Sequence, residues 1–340
     1  MSVIRLTVVV RNLMWRIGRK MYTYARGDRE NDPRVNGEYW LLAQVLKAPT
    51  SAQVLFDVGA NKGNWTATAL GLSRTLSKIH IHAFEPSLAT RSMIGARFVE
   101  SPSVTVHPYA LSDTDGEATF YSNEDGGETN SLSPASGQDT EVVKVTTIDR
   151  FMQRYAIEMV SMIKIDTEGA DLLVLRGAEE SLRFGRISIV QLEYNWRWLL
   201  NHGSLRDVFD FIANKPYRFG KLVGDTIEFY DEWHFELDRY FEGNYLLVRR
   251  DSELCSLGTD MCFDHSNTIS TASSVVSLRQ TERLRLPWSF RRQADCWRYA
   301  QTSTRWASRS GDSSWPVSWV SGSLDSAVPP SAGLAQRSRR

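Results

Sequence analysis

Cysteine is scarce in this chain. Its 340 residues include three, Cys255, Cys262 and Cys296, all in the last third. An odd number with no close-spaced pair argues against a disulfide framework or a thiolate zinc site. No thiol nucleophile is available before residue 255, and the usage fits a reducing, cytoplasmic compartment. Net charge is missing too. Forty basic and forty acidic residues cancel, so no electrostatic argument favours nucleic acid as a partner. No apolar run approaches the roughly 20 residues of a spanning helix, because Arg5, Arg11 and Arg16 interrupt residues 4–17. That segment also lacks the h-region and cleavage site of a signal peptide. The G-x-G-x-x-G dinucleotide fingerprint is absent.

What remains is ordinary globular material, 42% hydrophobic and 24% charged. Residues 1–34 read as a basic helical extension, with Arg16, Arg19 and Lys20 beside Leu13, Met14 and Ile17. Such a helix either packs on its own domain or makes loose contact with an acidic membrane surface or a partner. After residue 250 the composition turns to Ser and Arg, with no lysine. Residues 251–340 are therefore expected to be a disordered tail outside the catalytic unit.

Between 35 and 250, strand and helix patterns alternate. Strands are expected at 54–58, 79–84, from 104, at 162–165 and at 187–192. Helices are expected at 66–76, 87–98, 148–154 and 172–182. Residues 117–121 and 141–145 form a short excursion of strands. Two last strands, 226–230 and 245–248, are separated by a loop long enough for a hairpin. Strands joined by helices imply crossover units, and the final pair implies an antiparallel edge. The fold class is α/β, a doubly wound and mostly parallel sheet. Ligands of such sheets sit beyond the carboxyl ends of the strands, where strand order reverses.

The strand ends carry the chemistry. The first is Phe56-Asp-Val-Gly-Ala-Asn-Lys-Gly63. Gly59 and Gly63 flank a strand-to-helix turn, and Asp57 can take an ammonium group or orient the loop. Asn61 stands where a dinucleotide site needs its second glycine. After the second strand, Glu85 can accept from both hydroxyls of a ribose, or can cap a helix. Ala110 and Leu111 can sandwich an adenine, with polar contact from Ser112 or Asp113; a plain turn is the alternative. The fourth end, Ile163-Lys-Ile-Asp-Thr-Glu-Gly-Ala-Asp171, sends Asp166 and Glu168 to one side, while Asp171 reads as a helix cap. Glu193 ends an apolar strand and points to the same crevice. Paired acids there can bind a cation, orient a hydroxyl or divide acid and base roles. They can also be a capped structural turn. His80, His82, His107 and His202 read as structural.

Taken together, these segments resemble the FkbM family of S-adenosylmethionine-dependent methyltransferases across about residues 35–250. Phe84-Glu-Pro86, Ala110-Leu-Ser-Asp113 and Thr147-Ile-Asp-Arg-Phe151 add to the two loops already quoted. The resemblance implies a Rossmann-like class I methyltransferase with a seven-stranded sheet and S-adenosylmethionine as cofactor. It places the methionine part at Asp57, Gly59, Ala60, Asn61 and Gly63, and the ribose at Glu85. It places the acceptor near Asp166, Glu168 and Gly169. It also implies O-methylation of a sugar, glycolipid or polyketide-like hydroxyl, so the expected partner is a small molecule or glycan. Asp166, Glu168 and Glu193 are the candidate catalytic residues, without a ranking. They can converge on Mg²⁺, but no ligand spacing marks a metal site, and none is assigned. An NAD-dependent oxidoreductase and a non-catalytic binding module on the same fold are the alternatives. Trp196, Trp198, Tyr217 and Phe219 either stack on a sugar or belong to the core, and residues 123–138 and 196–224 are expected to shape the acceptor pocket.

Overall fold

The computed structural model describes residues 3–48, 52–76, 78–122, 132 and 139–272. In chain order the elements are α1 (Val3–Ala25), α2 (Glu38–Leu46), β1 (Gln53–Val58), α3 (Asn64–Leu76), β2 (Ile79–Phe84), α4 (Leu88–Arg97), β3 (Val104–His107), β4 (Tyr109–Leu111), β5 (Gly116–Ser122), β6 (Asp139–Thr146) and α5 (Ile148–Arg154). There follow β7 (Met162–Ile165), α6 (Asp171–Arg176), α7 (Glu179–Arg183), β8 (Ile189–Tyr194), α8 (Leu205–Ile212), β9 (Tyr217–Leu222), β10 (Ile227–Tyr230), β11 (Gly243–Arg249), β12 (Gly258–Phe263) and β13 (Ile269–Thr271).

The main sheet runs β13-β12-β10-β9-β11-β8-β7-β1-β2-β3. Its half from β8 to β3 is parallel throughout. Of these, β1, β2, β7 and β8 are buried on both faces. Chain order runs outward from β1 to β3 on one side and from β7 to β8 on the other, so the crevice opens between β1 and β7. This is the α/β architecture expected from the sequence. One core face gathers Phe56, Phe84, Phe151 and Ile163. The other gathers Leu41, Leu42, Leu55 and Ile81 against α2 and α3. A small second sheet, β4-β6-β5, carries the expected excursion.

Several boundaries differ from the expectation. The sheet has ten strands, seven of them in the order β3-β2-β1-β7-β8-β11-β9. The expected closing hairpin does not form. β9 lies between β10 and β11 and pairs antiparallel with both. Residues 217–222 escaped notice because Pro216, Arg218, Gly220 and Lys221 break the apolar pattern. Lys221 is nonetheless buried, and its Nζ bonds Asp28 Oδ1 at 2.5 Å, where Arg239 also binds. The main sheet also runs past residue 250: β12 pairs parallel with β10, and β13 closes on β12. The expected disorder of the remaining tail, from residue 273, lies outside the described residues.

The helix expected over 172–182 is two helices. Gly177 sits where an added Cβ would meet Ser112 O at 2.0 Å. Asp149 then accepts from the amides of Glu180 and Ser181, each at 2.8 Å, and starts α7 afresh. Asp149 belongs to the segment Thr147-Ile-Asp-Arg-Phe151. Thr147 Oγ1 caps α5 by accepting from Arg150 N at 3.0 Å, and Phe151 enters the core.

His82 and His107 pack in the core. His82 Nδ1 and His107 Nε2 lie 2.9 Å apart, packed among Phe56, Phe84 and Phe151. Burial pushes them down to about 3 and about 4, so both are neutral.

Trp198, Tyr217 and Phe219 belong to the core and are closed to a sugar. The Trp198 ring meets Tyr194 edge-on, and Nε1 donates to Glu193 O at 2.9 Å. Trp198→Ala is therefore expected to cost about 3–5 kcal/mol of stability. Urea denaturation measures this; an unchanged midpoint would show the ring to be dispensable.

Candidate active site

A cavity of about 850 Å³ opens over the carboxyl ends of β1, β2, β7 and β8, inside the usual range of roughly 300–1,000 Å³ for small-molecule sites. Asp57, Gly59, Ala60, Asn61, Glu85, Ala110, Leu111, Asp166, Glu168 and Glu193 all line it. Two expected contacts do not. Gly63 turns the chain beneath α4, against Ile94 and Phe98, and Ser112 is buried with its amide on Thr146 O.

Asp57 ends β1, wholly buried. Its Oδ2 accepts from Thr66 Oγ1 at 2.6 Å, while Oδ1 has no hydrogen-bond partner among the described residues. Burial pushes its carboxyl up, against the pull of Lys164 and Thr66. The loop after it is held tightly. The Gly59 and Ala60 amides donate to Phe84 O at 3.1 and 3.0 Å. Asn61 N donates to Glu85 Oε2 at 2.9 Å, and Ser87 N to Oε1 at 3.0 Å. Each Glu85 oxygen keeps a lone pair for a further donor. Burial pushes Glu85 up to about 7. Gly59 has φ +79°, and a Cβ there would lie 1.9 Å from Asp166 O. Gly59→Ala is expected to destabilise the chain by at least about 2 kcal/mol, strain and clash combined. A thermal midpoint equal to the parent's would refute this.

The opposite wall is acidic. Asp166, Glu168 and Glu193 each place an oxygen within 4.8 Å of the others. Lys164, two residues before Asp166 on the same face of β7, donates from Nζ to Asp166 Oδ2 at 2.7 Å. Burial would raise Asp166, but Lys164, the bond to Glu193 and Arg197 together hold the carboxyl down. Glu193 is driven well up, by burial and then by the charge of Asp166, so it bonds to Asp166 as the proton donor. Glu168 sits at φ 56° and pairs with Arg197 Nη1 at 2.9 Å. Burial, with Asp166 behind it, pushes Glu168 up to about 7. Three acids so close can share a metal ion, but Lys164 and Arg197 already supply counter-charge.

Sequence reasoning missed several lining groups. Residues 31–34 precede the expected domain start, yet Asn31 Nδ2 reaches Glu193 Oε1 at 3.3 Å and Glu242 Oε1 at 2.6 Å. Glu38, on α2, takes Gln191 Nε2 at 2.6 Å and is pushed up by burial. Lys164 carried a readable signal, since a lysine inside an apolar strand needs a carboxylate partner. Asn31, Glu38 and Glu242 carried none, because long-range folding brings them in.

With this geometry in place, comparison with known proteins becomes informative. The description "Methyltransferase FkbM domain" matches residues 57–219. Residues 57–219 belong to the FkbM methyltransferase family. A curated relative, the hexuronic acid methyltransferase AglP of Haloferax volcanii, is 25% identical over 160 residues. That match covers 46% of this chain and 63% of the relative, so less than two thirds of the relative's length is spanned. Among solved structures, methyltransferase FkbM from Methylobacillus flagellatus KT matches at 16% identity and TM-score 0.38, over 58% of this chain and 44% of that one. A SAM-dependent methyltransferase from Agrobacterium tumefaciens matches at 10% identity and TM-score 0.35, over 63% and 61%. At these scores neither structure bears on the chemistry of the FkbM domain described here.

Proposed function

We propose that the chain transfers a methyl group from S-adenosylmethionine to a hydroxyl oxygen of a sugar-bearing acceptor. One observation carries this reading: a single cavity holds buried carboxyls at one end, Asp57 with an unpartnered oxygen, and a poised base at the other. Eight carboxyl and five cationic side chains line it, and burial raises Glu38, Asp57, Glu85, Glu168 and Glu193. Such a site favours a cationic ligand and repels a pyrophosphate, which wants amides with no acid beside them. The residues present fit the cofactor. The free Asp57 Oδ1 matches an ammonium group, Glu85 matches ribose hydroxyls, and Tyr109, Ala110, Leu111 and Phe120 offer an apolar slot.

When bound, S-adenosylmethionine supplies a methyl group on a positively charged sulfur, already activated for displacement. The protein's own work is positioning and proton removal. Well-aligned reactants gain about 7–11 kcal/mol. Glu168 takes the proton of the attacking hydroxyl; the oxygen–methyl bond forms as the methyl–sulfur bond breaks. Asp166, kept ionised by Lys164, and protonated Glu193 orient that hydroxyl. Trp196, exposed beside Arg197, offers an aromatic face for a sugar ring. The name of the relative from Haloferax volcanii supports a hexuronic-acid acceptor.

The test is transfer of labelled methyl from S-adenosylmethionine to hexuronate-containing glycans, with neutral glycans in parallel. Alkali-stable label in a glycan is the expected result. Failure to bind S-adenosylmethionine, with binding of NAD, would overturn the reading in favour of an oxidoreductase.

A further inference from the structure

The α1 helix has no part in the reaction described above. Its 23 residues extend about 35 Å, and its C-terminal end is tied to the domain. There Tyr22 bonds Glu236, Arg19 stacks over Phe241 at 5.0 Å, and Arg26 pairs with Glu236 at 2.8 Å. Val10, Leu13, Met14, Ile17, Met21 and Tyr24 follow the three-four spacing of one helix face, and each is 47–79% exposed. An apolar stripe this long on a soluble surface marks an interaction site.

The charges indicate what covers it. The helix has five basic residues, Arg5, Arg11, Arg16, Arg19 and Lys20, and no acidic one before Asp28. Helical spacing puts Arg11 and Lys20 on the two flanks of the apolar stripe. From there their long stems can carry the charge to a headgroup layer while the stripe sinks below it. A second copy of α1 would instead meet five like charges with no acid to pair. No helix among the described residues is long and apolar enough to cross a membrane.

We propose that α1 lies flat on an anionic lipid surface, with Leu13, Met14, Ile17 and Met21 in the acyl boundary and Arg11 and Lys20 at the headgroups. The idea is independent of the proposed methyl transfer, and its test needs no substrate. The full chain is spun with vesicles of phosphatidylcholine alone, or with 30% phosphatidylglycerol, at low and high salt. Pelleting with the anionic vesicles only, weakened at least tenfold by high salt, is expected. Met14→Asp/Ile17→Asp and Arg11→Glu/Lys20→Glu should each abolish it. Their thermal midpoints should stay at the parent value, since these side chains are exposed. Two results would overturn the proposal. One is a chain that stays in the supernatant with anionic vesicles. The other is a dimer in light scattering that Met14→Asp/Ile17→Asp converts to monomer, which would give the stripe to a second copy.

Discussion

Asp57→Asn is expected to weaken S-adenosylmethionine binding by about 10- to 150-fold, the value of a hydrogen bond to a charged group. The same change should leave the free protein as stable as before or more so. Asp57 is wholly buried with one oxygen unpartnered, so its charged form is a liability until a cation arrives. Its carboxyl is raised in the folded state. The stability it offers therefore exists at low pH and is lost as pH rises out of the ordinary carboxylate range. Asparagine removes that dependence. An ammonium group favours the ionised carboxyl, so binding is linked to proton release, which calorimetry in buffers of different ionisation enthalpy measures. Loss of stability together with unchanged affinity would assign Asp57 a purely structural role beside Thr66.

Glu168→Gln should lower kcat by about 10²–10⁴-fold, the contribution of a general base, with little effect on cofactor affinity. Glutamine keeps an acceptor for Arg197 but cannot take the proton. In the parent protein the rate should rise as pH passes about 7, where Glu168 loses its proton; in the variant that rise should vanish. Stability moves the other way. With its folded pKa raised, Glu168 contributes most below its unfolded value and progressively less as pH climbs to about 7. A Glu168→Gln variant with the parent's pH–rate profile would move the base to Asp166 or Glu193. The carboxyl of Asp166 stays ionised beside Lys164, so a profile flat across neutral pH in the parent would favour it.

The sequence exposed the parts of this site that local chemistry requires. A glycine turn after an apolar strand has one physical use, and Gly59, with Asp166 O pressed against it, shows why no side chain fits. Acids at strand ends were visible for the same reason: Asp57, Glu85, Asp166, Glu168 and Glu193 each interrupt an apolar run at its carboxyl end. What stayed hidden depends on distant partners. Strand β9 carries an interior lysine that Asp28 and the Arg26 carbonyl make tolerable. The run 172–182 has helical spacing throughout, and the break at Gly177 comes from the approach of Ser112 O. Residues 31–34 were read as part of an extension because nothing local reveals that Asn31 bridges Glu193 and Glu242. Ser112 looked available because it follows Leu111; the backbone bond to Thr146 turns it away from the cavity.

A crystal of the full chain grown with S-adenosylhomocysteine provides the most direct test. The account predicts the amino acid end at Asp57 Oδ1, the ribose on Glu85, and the sulfur facing Glu168 across open space for an acceptor. Density elsewhere on the molecule, or a cavity that takes NAD in preference, would contradict it.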